Sequence, residues 1–396
     1  VSRPRSAYLH VPFCPHVCPY CDFHKMRRNE DLVGAYLTRL ETEIAEAGAR
    51  FGGPLDTIYL GGGTPSHLSD AELERVFATL DRAFDLPAGV ETTLEADPAT
   101  FDAARLERFR ALGIGRLSIG LQSTQDEVLR FLGRAHDAAT GLAAVHTALD
   151  AGFEVSADLI TAVAGQDARA DLESLATTGV QHVSVYTLTI EPYTPFALRR
   201  VRVDDDRAAN DYQLATDVLG AHGFERYEVS NHARPGHASV HNQVYWHGAF
   251  FLGLGPSAAG YLPLGDGSDP ADLGERVMNL PIKAWLRGDP PHRERLDARE
   301  HVLERLMTGL RTVRGVDLDA LAARSGIDVR ACYEDVLRDE LAAGRLELIA
   351  PADPPVVAPL ASPTSALADT RTGTVLRATD RGLVVLDAVL RRFFAA

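Results

Sequence analysis

The chain has 396 residues, 45% of them hydrophobic and 24% charged, with a formal net charge of −15 and a pI near 5.4. That composition belongs to a soluble globular chain with one large domain and one small one, and it excludes a broad electrostatic footprint on nucleic acid. No apolar run is long enough to span a bilayer, and residues 1–10 lack the charged-then-apolar layout of a signal peptide, so a cytoplasmic location is expected.

The first half alternates β-like runs with amphipathic helical stretches. The runs are AYLHV (7–11), DTIYL (56–60), VETTLEA (90–96), RLSIGL (116–121), FEVSADLI (153–160) and HVSVYTLTI (182–190). Helical spacing is carried by Leu32, Tyr36, Leu40 and Ile44, and again by Leu73, Val76, Phe77, Leu80 and Phe84. Ser69 with Glu72, and Thr124 with Glu127, have the spacing of capping boxes. Six such repeats predict a parallel sheet with helices outside; periodicity alone leaves barrel closure open.

Beyond Glu191 the pattern changes. Residues 204–222 read as a helix, 224–230 (FERYEVS) as a strand, and 231–270 as a loop-rich stretch dense in Gly, Pro and His. Residues 1–270 are therefore taken as one domain and 281–396 as a second. The second holds helices at 297–311, 317–326 and 330–343, a strand-like RLELIAP, a Pro/Ala/Ser/Thr-rich stretch at 351–373 expected to be a mobile loop, and a closing strand, turn and helix. Short helices followed by a β-wing predict a small winged-helix-like α+β domain, whose acidity argues against DNA as its partner.

There are four cysteines, and three crowd into C-P-H-V-C-P-Y-C: Cys14, Cys18 and Cys21; Cys332 stands alone. A secreted disulfide scaffold would spread its cysteines, so the cluster points to metal. Three thiolates suit a 4Fe–4S cube and leave one iron without a protein ligand. On the cysteines alone, zinc with His10, His16 or His24 as a fourth ligand stays open. The run Leu60-Gly61-Gly62-Gly63-Thr64-Pro65 follows the second strand, where glycines let a ligand approach the backbone at a strand's carboxyl end. Together, the cysteine run and this turn match the pattern of radical S-adenosylmethionine (SAM) proteins.

The ordered series Y-L-H-V-P-F-C, G-G-G-T-P-S, L-E-A-D-P, R-L-S-I-G-L-Q-S, L-G-R-A-H, D-L-I, Y-E-V-S-N and H-N-Q-V-Y-W resembles the oxygen-independent coproporphyrinogen III oxidase family of radical SAM proteins, in its HemW branch. The resemblance covers nearly the whole chain. It implies an incomplete (β/α)6 radical SAM barrel, a family-type C-terminal domain, a 4Fe–4S cluster on Cys14, Cys18 and Cys21, and SAM. By position it assigns SAM contacts to Tyr8, Tyr20, Gly63, Thr64 and Glu95. Gln122, Arg134 and Asp158 match positions that serve a second SAM in the oxidase. Glu95 and Asp158 could equally cap the following helices, and Arg134 could be a surface residue.

Two features bear on the branch. The oxidase has a fourth cysteine just after the run, where this chain continues Cys21-Asp22-Phe23. And H-N-Q-V-Y-W matches the branch's haem motif, which puts haem on His241, Asn242, Tyr245 and Trp246; without the resemblance these would read as a turn cap and core packing. The implied function is a haem chaperone with haem-accepting apoproteins of respiration, some membrane-associated, as partners; nucleic acid is not among them, and a homodimer is compatible. Rival readings are a two-SAM methyltransferase or cyclopropanase, the oxidase itself, and a zinc interaction module. No catalytic residue is assigned. Three stretches depart from the family pattern: Leu159 to Gly165 where a G-x-P-G turn is usual, Gly255 to Gly260 without the usual histidine, and His24-Lys25-Met26 after Phe23.

Overall fold

The computed structural model describes residues 3–265, 272–350 and 373–396. The expected mobile loop at 351–373 lies outside them except for Gly373. Six parallel strands follow the six apolar runs: β1 (Ser6–Val11), β2 (Thr57–Gly62), β3 (Glu91–Ala96), β4 (Arg116–Gln122), β5 (Glu154–Thr161) and β6 (His182–Thr187). Most of their residues are buried, and in β3 to β6 polar side chains alternate with apolar ones.

Three short strands complete the sheet: β7 (Glu225–Arg226), β8 (Asn231–Ala233) and β9 (Leu252–Leu254). The order is β9-β1-β2-β3-β4-β5-β6-β8-β7, with β9 parallel to β1, and β8 antiparallel to β6 and β7. The result is the incomplete (β/α)6 barrel, with its edges covered by segments from further along the chain.

Helices pack outside. The first, Glu30–Phe51, starts at Asn29, whose side chain accepts from Leu32 N, and buries Tyr36, Leu40 and Ile44. The second, Asp70–Ala83, carries the expected capping box of Ser69 and Glu72. The second expected box does not form. That helix begins at Asp126, and Thr124 instead gives its N–H and hydroxyl to the buried carboxylate of Asp171, both at 2.7 Å. Asp171 also accepts from Ser123 and Gln166, and so ties the connections after β4 and β5 together.

The expected strand at 224–230 is cut to two residues. Past Arg226 the chain turns to the other module: Glu228 bridges Thr312, and Val229 N donates to Arg311 O at 3.0 Å. The loop-rich stretch also holds order that the sequence did not announce, namely a helix, Val240–Trp246, as well as β8 and β9.

The C-terminal module has its own core, built on Val302, Leu306, Leu337, Leu376, Leu390 and Phe393. Its helices Ala298–Gly309, Leu318–Ser325 and Glu334–Ala342 accompany a three-stranded antiparallel sheet of Val316–Asp317, Val375–Ala378 and Leu346–Ile349, the expected winged-helix-like layout. The helix expected at 330–343 is broken at Tyr333. Glu43 on the first helix joins distant parts of the molecule. It accepts from Gly255 N at 2.8 Å, Asn279 Nδ2 at 2.6 Å and Trp285 Nε1 at 3.1 Å.

Candidate functional site

The site lies at the carboxyl ends of the parallel strands, where α/β folds bind ligands. Cys14 ends a two-residue strand, Phe13–Cys14, that pairs with Met26–Arg27 and folds the cysteine loop back over the barrel mouth. Gly63 N donates to Val11 O at 2.8 Å and Thr64 N to Phe13 O at 2.9 Å, stitching the glycine turn to that loop. A Cβ on Gly63 would stand 2.7 Å from the Val11 carbonyl oxygen, and Gly62, at φ +108°, would drive one into the His10 ring. Gly63 thus lets two backbone segments touch and Gly62 makes room for the His10 ring, while both glycines also line the cavity.

Cys14, Cys18 and Cys21 line a single cavity of about 400 Å³ with Tyr20, Gly63, Thr64, Glu95, Gln122, Arg134 and Asp158. Asn242 reaches the same cavity. Tyr8 does not line it; its ring lies 6.1 Å from that of Tyr59, and its hydroxyl is 3.0 Å from His10 Nδ1. Among the described residues no three His, Cys, Asp or Glu side chains converge as closely as a single ion requires. Of the histidines a zinc site would draw on, His16 touches Cys18 at 3.5 Å, while His10 is engaged with Tyr8 and the His24 carbonyl.

The sequence reading missed much of the lining, including Tyr59, Arg116, Ser118, His182, Ser184 and Tyr186. A signal for them existed. Arg116, Ser118, Gly120 and Gln122 alternate along β4, and His182, Ser184 and Tyr186 along β6, so every second residue faces the lumen. Register places Glu95, Ser118, Ser156 and His182 side by side across four strands.

The carboxylates of the cavity sit deep in the molecule yet open onto it. Glu95 accepts from Gly62 N at 2.8 Å and the Tyr59 hydroxyl at 3.0 Å; burial raises its carboxyl to about 7, and Asp158 adds to the rise. Burial likewise raises Asp158 to about 6, against hydrogen bonds from Ser184 and Ser118. Arg134 is an interior residue, not a surface one. It pairs with Asp97 at 2.7 Å, donates to Gly120 O at 2.9 Å and lies 3.4 Å from Cys18 Sγ. Burial pushes the Cys18 thiol up, but His16 and Arg134 outweigh it and leave the thiol below its usual range. Burial pushes Cys14 up to about 11 and also raises Cys21.

Two family models match the chain: the radical SAM superfamily over residues 8–189 and the HemN C-terminal domain over residues 296–350. The chain is 32% identical over 353 residues to a protein of Bacillus subtilis (strain 168) named heme chaperone HemW, spanning 85% of this chain and 90% of that one. The chain belongs to the HemW family of radical SAM proteins. Another HemW, from Synechocystis, is 37% identical over 336 residues, 79% of each chain. The fold is that of Escherichia coli HemN, a coproporphyrinogen III oxidase, at a TM-score of 0.78 and 20% identity, over 99% of this chain and 90% of that one.

Membership in the HemW family implies a 4Fe–4S cluster and SAM, and the residues present fit both. Three thiols ring one cavity while Cys332 is remote and exposed. Beside them stand Glu95, a carboxylate in no ion pair among the described residues, and the orphaned Nε of Arg134. The H-N-Q-V-Y-W segment lies on the short helix Val240–Trp246. His241 is fully buried; Nδ1 is 2.7 Å from Thr57 Oγ1, Nε2 is 2.6 Å from the Tyr245 hydroxyl, and the ring stacks on Tyr59 at 5.0 Å. Both ring nitrogens are thus taken, and burial lowers the imidazole to about 3. Tyr245 is held by the same bond, and the half-buried Trp246 offers its carbonyl to Arg305 at 2.9 Å. As folded here, the motif is barrel wall, and Asn242 is its one member facing the cavity.

Proposed function

We propose that this chain is a haem chaperone that carries a 4Fe–4S cluster on Cys14, Cys18 and Cys21 and binds SAM at the strand ends, with residues 1–270 as the radical SAM core and 281–396 as its C-terminal domain. The observation that carries the reading is the continuous cavity that joins the three thiols to Thr64, Glu95, Arg134 and Asp158. When bound, such a cluster supplies one electron to the sulfonium of SAM. The chain's own residues do the rest. Thr64 hydrogen-bonds Cys14, and His16 and Arg134 favour the thiolate of Cys18. Glu95 offers a carboxylate to the ammonium or ribose of SAM, and Tyr20 lies between the last two cysteines. The name of the curated relatives supports haem as cargo and haem-accepting apoproteins as partners. A cytoplasmic place suits this role, and no helix among the described residues is long and apolar enough to cross a membrane.

Anaerobic reconstitution tests the reading. Replacing the three cysteines together by Ala should abolish bound iron and sulfide, whereas Cys332→Ala should change neither. The parent should bind haem and should not convert coproporphyrinogen III to protoporphyrinogen IX. Stoichiometric zinc without sulfide would overturn the cluster; turnover to the decarboxylated product would overturn the chaperone.

A further inference from the structure

Resting on the cluster reading above, we propose that Arg134 sets the reduction potential of the cluster, acting through Cys18 and making that sulfur unlike the other two.

The three sulfurs meet different donors. Cys14 takes a hydrogen bond from the Thr64 side chain, and Cys21 takes one from the backbone of Phe23. Both donors are neutral. Cys18 lies 3.5 Å from His16 Nε2 and 3.4 Å from Arg134 Nη1, and it also accepts from the Tyr20 hydroxyl. A guanidinium stays charged across the pH range of folded proteins. Of the three, Cys18 thus has a permanently charged donor on its sulfur.

Arg134 is fixed from several sides. It follows Gly133, at φ +69°, where a Cβ would stand 2.7 Å from Pro19 Cδ, so this turn sits hard against the cysteine loop. On its other side Pro19 O accepts from Phe196 N at 3.1 Å. Nη2 of Arg134 is spent on Asp97 Oδ2 at 2.7 Å and on Gly120 O at 2.9 Å, and Asp97 is itself held by Ala99 N at 3.0 Å. The side chains of Arg134 and Asp97 are 9% and 6% exposed, so water screens the pair little.

The remaining charges act from farther off. Asp97 binds the guanidinium at Nη2, while Nη1 meets the sulfur. The half-buried Lys25 gives its ammonium to the Cys21 carbonyl, and Asp22 next to that cysteine is exposed. An added electron makes a thiolate-bound cluster more negative, and N–H donors to sulfur and a nearby cation favour that state. The reduced form is therefore stabilised mainly from the Cys18 side. Arg134 is in this sense a positioning residue for charge.

The test uses the full chain, reconstituted anaerobically and titrated without SAM. Titanium(III) citrate with redox mediators supplies the electron, and electron paramagnetic resonance counts the reduced cluster. Arg134→Gln should shift the equilibrium about tenfold against the reduced form, about 59 mV for one electron. Arg134→Lys should recover part of that shift. Because Gln alone leaves Asp97 buried without its cation, Arg134→Gln combined with Asp97→Asn removes both charges; it should still shift about threefold the same way, since the guanidinium is nearer the sulfur. Lys25→Gln should shift it by less than about twofold, its charge being better screened. Iron and sulfide content should match in every variant. Equilibria within about twofold of the parent in both Arg134→Gln proteins would overturn the role of Arg134 and leave the cluster reading intact. So would a Lys25→Gln shift as large as that of Arg134→Gln. A parent that holds no iron and sulfide would overturn the cluster reading and this role with it.

Discussion

Replacing Glu95 by Gln removes a carboxyl that burial, with help from Asp158, raises to about 7. Without ligand this group is about half protonated at neutral pH. An ammonium or ribose hydroxyl beside it favours the ionised form, so binding of SAM draws the group back toward its ordinary 4.5 and expels a proton. Affinity should accordingly rise with pH up to about 7 and level off above. A complete return from about 7 to 4.5, at about 1.36 kcal/mol for each tenfold in proton affinity, amounts to about 3 kcal/mol. A charge-assisted hydrogen bond in such a site contributes about 1.5–3 kcal/mol, which sets the same scale. Between pH 5.5 and 7.5 the parent should therefore gain roughly ten- to twentyfold in SAM affinity. Glu95→Gln should be weaker at pH 7.5 by the energy of that bond and nearly flat across the window. Anaerobic equilibrium dialysis of labelled SAM, with iron and sulfide measured on each sample, makes the comparison. An equal pH slope in the two proteins would refute the assignment and leave Glu95 as a cap on the glycine turn.

Glu228 is fully buried with one oxygen unpaired, and burial raises its carboxyl to about 7 from 4.5. Its contribution to stability is intact below pH 4.5 and gone once pH has risen through about 7, so Glu228→Gln should regain about 2–3 kcal/mol at pH 8.5 and almost nothing at pH 4.5. Urea midpoints at the two pH values decide this, and parallel curves for parent and variant would contradict it. Asp171→Ala should destabilise by about 3–5 kcal/mol, since it leaves the donors of Ser123, Thr124 and Gln166 buried without an acceptor; a loss under 1 kcal/mol in the same assay would mean that water replaces the carboxylate. His241→Phe should lower stability by about 2 kcal/mol through its two lost hydrogen bonds while leaving the haem titration as in the parent. Loss of haem binding at full stability would restore His241 as a ligand.

What could be read in advance depended on how local the deciding interactions are. The six long strands are apolar runs bounded by turns, and the cysteine and glycine motifs stand within single loops, so both were legible. The strand β9 has three residues and owes its existence to pairing with β1, which no local pattern announces. Residues 227–229 look like strand but turn to Thr312 and Arg311, in the other module. Thr124 has the spacing of a cap, but Asp171, 47 residues on, wins its donors. In the site, the cysteines and the carboxylates Glu95 and Asp158 were named from motifs and line the cavity, whereas Arg116 and Tyr186 required knowing which face of each strand meets the lumen. H-N-Q-V-Y-W is hard to read for the opposite reason: its residue types suit a ligand, while the hydrogen bond of its imidazole to Thr57, 184 residues away, has no local signal.

The donors that Glu43 accepts lie 212, 236 and 242 residues downstream of it. On the ribosome the cysteine loop therefore emerges long before the groups that secure the helix beside it, and β1 waits with an open edge until β9 is made. An unpaired strand edge is a feature that invites aggregation until its partner strand is made. Iron loading is accordingly expected to follow release of the nascent chain. Truncation after residue 250 should give a protein that assembles no cluster even though every cysteine of the motif is present, and a brown, soluble truncated product would contradict this order of events.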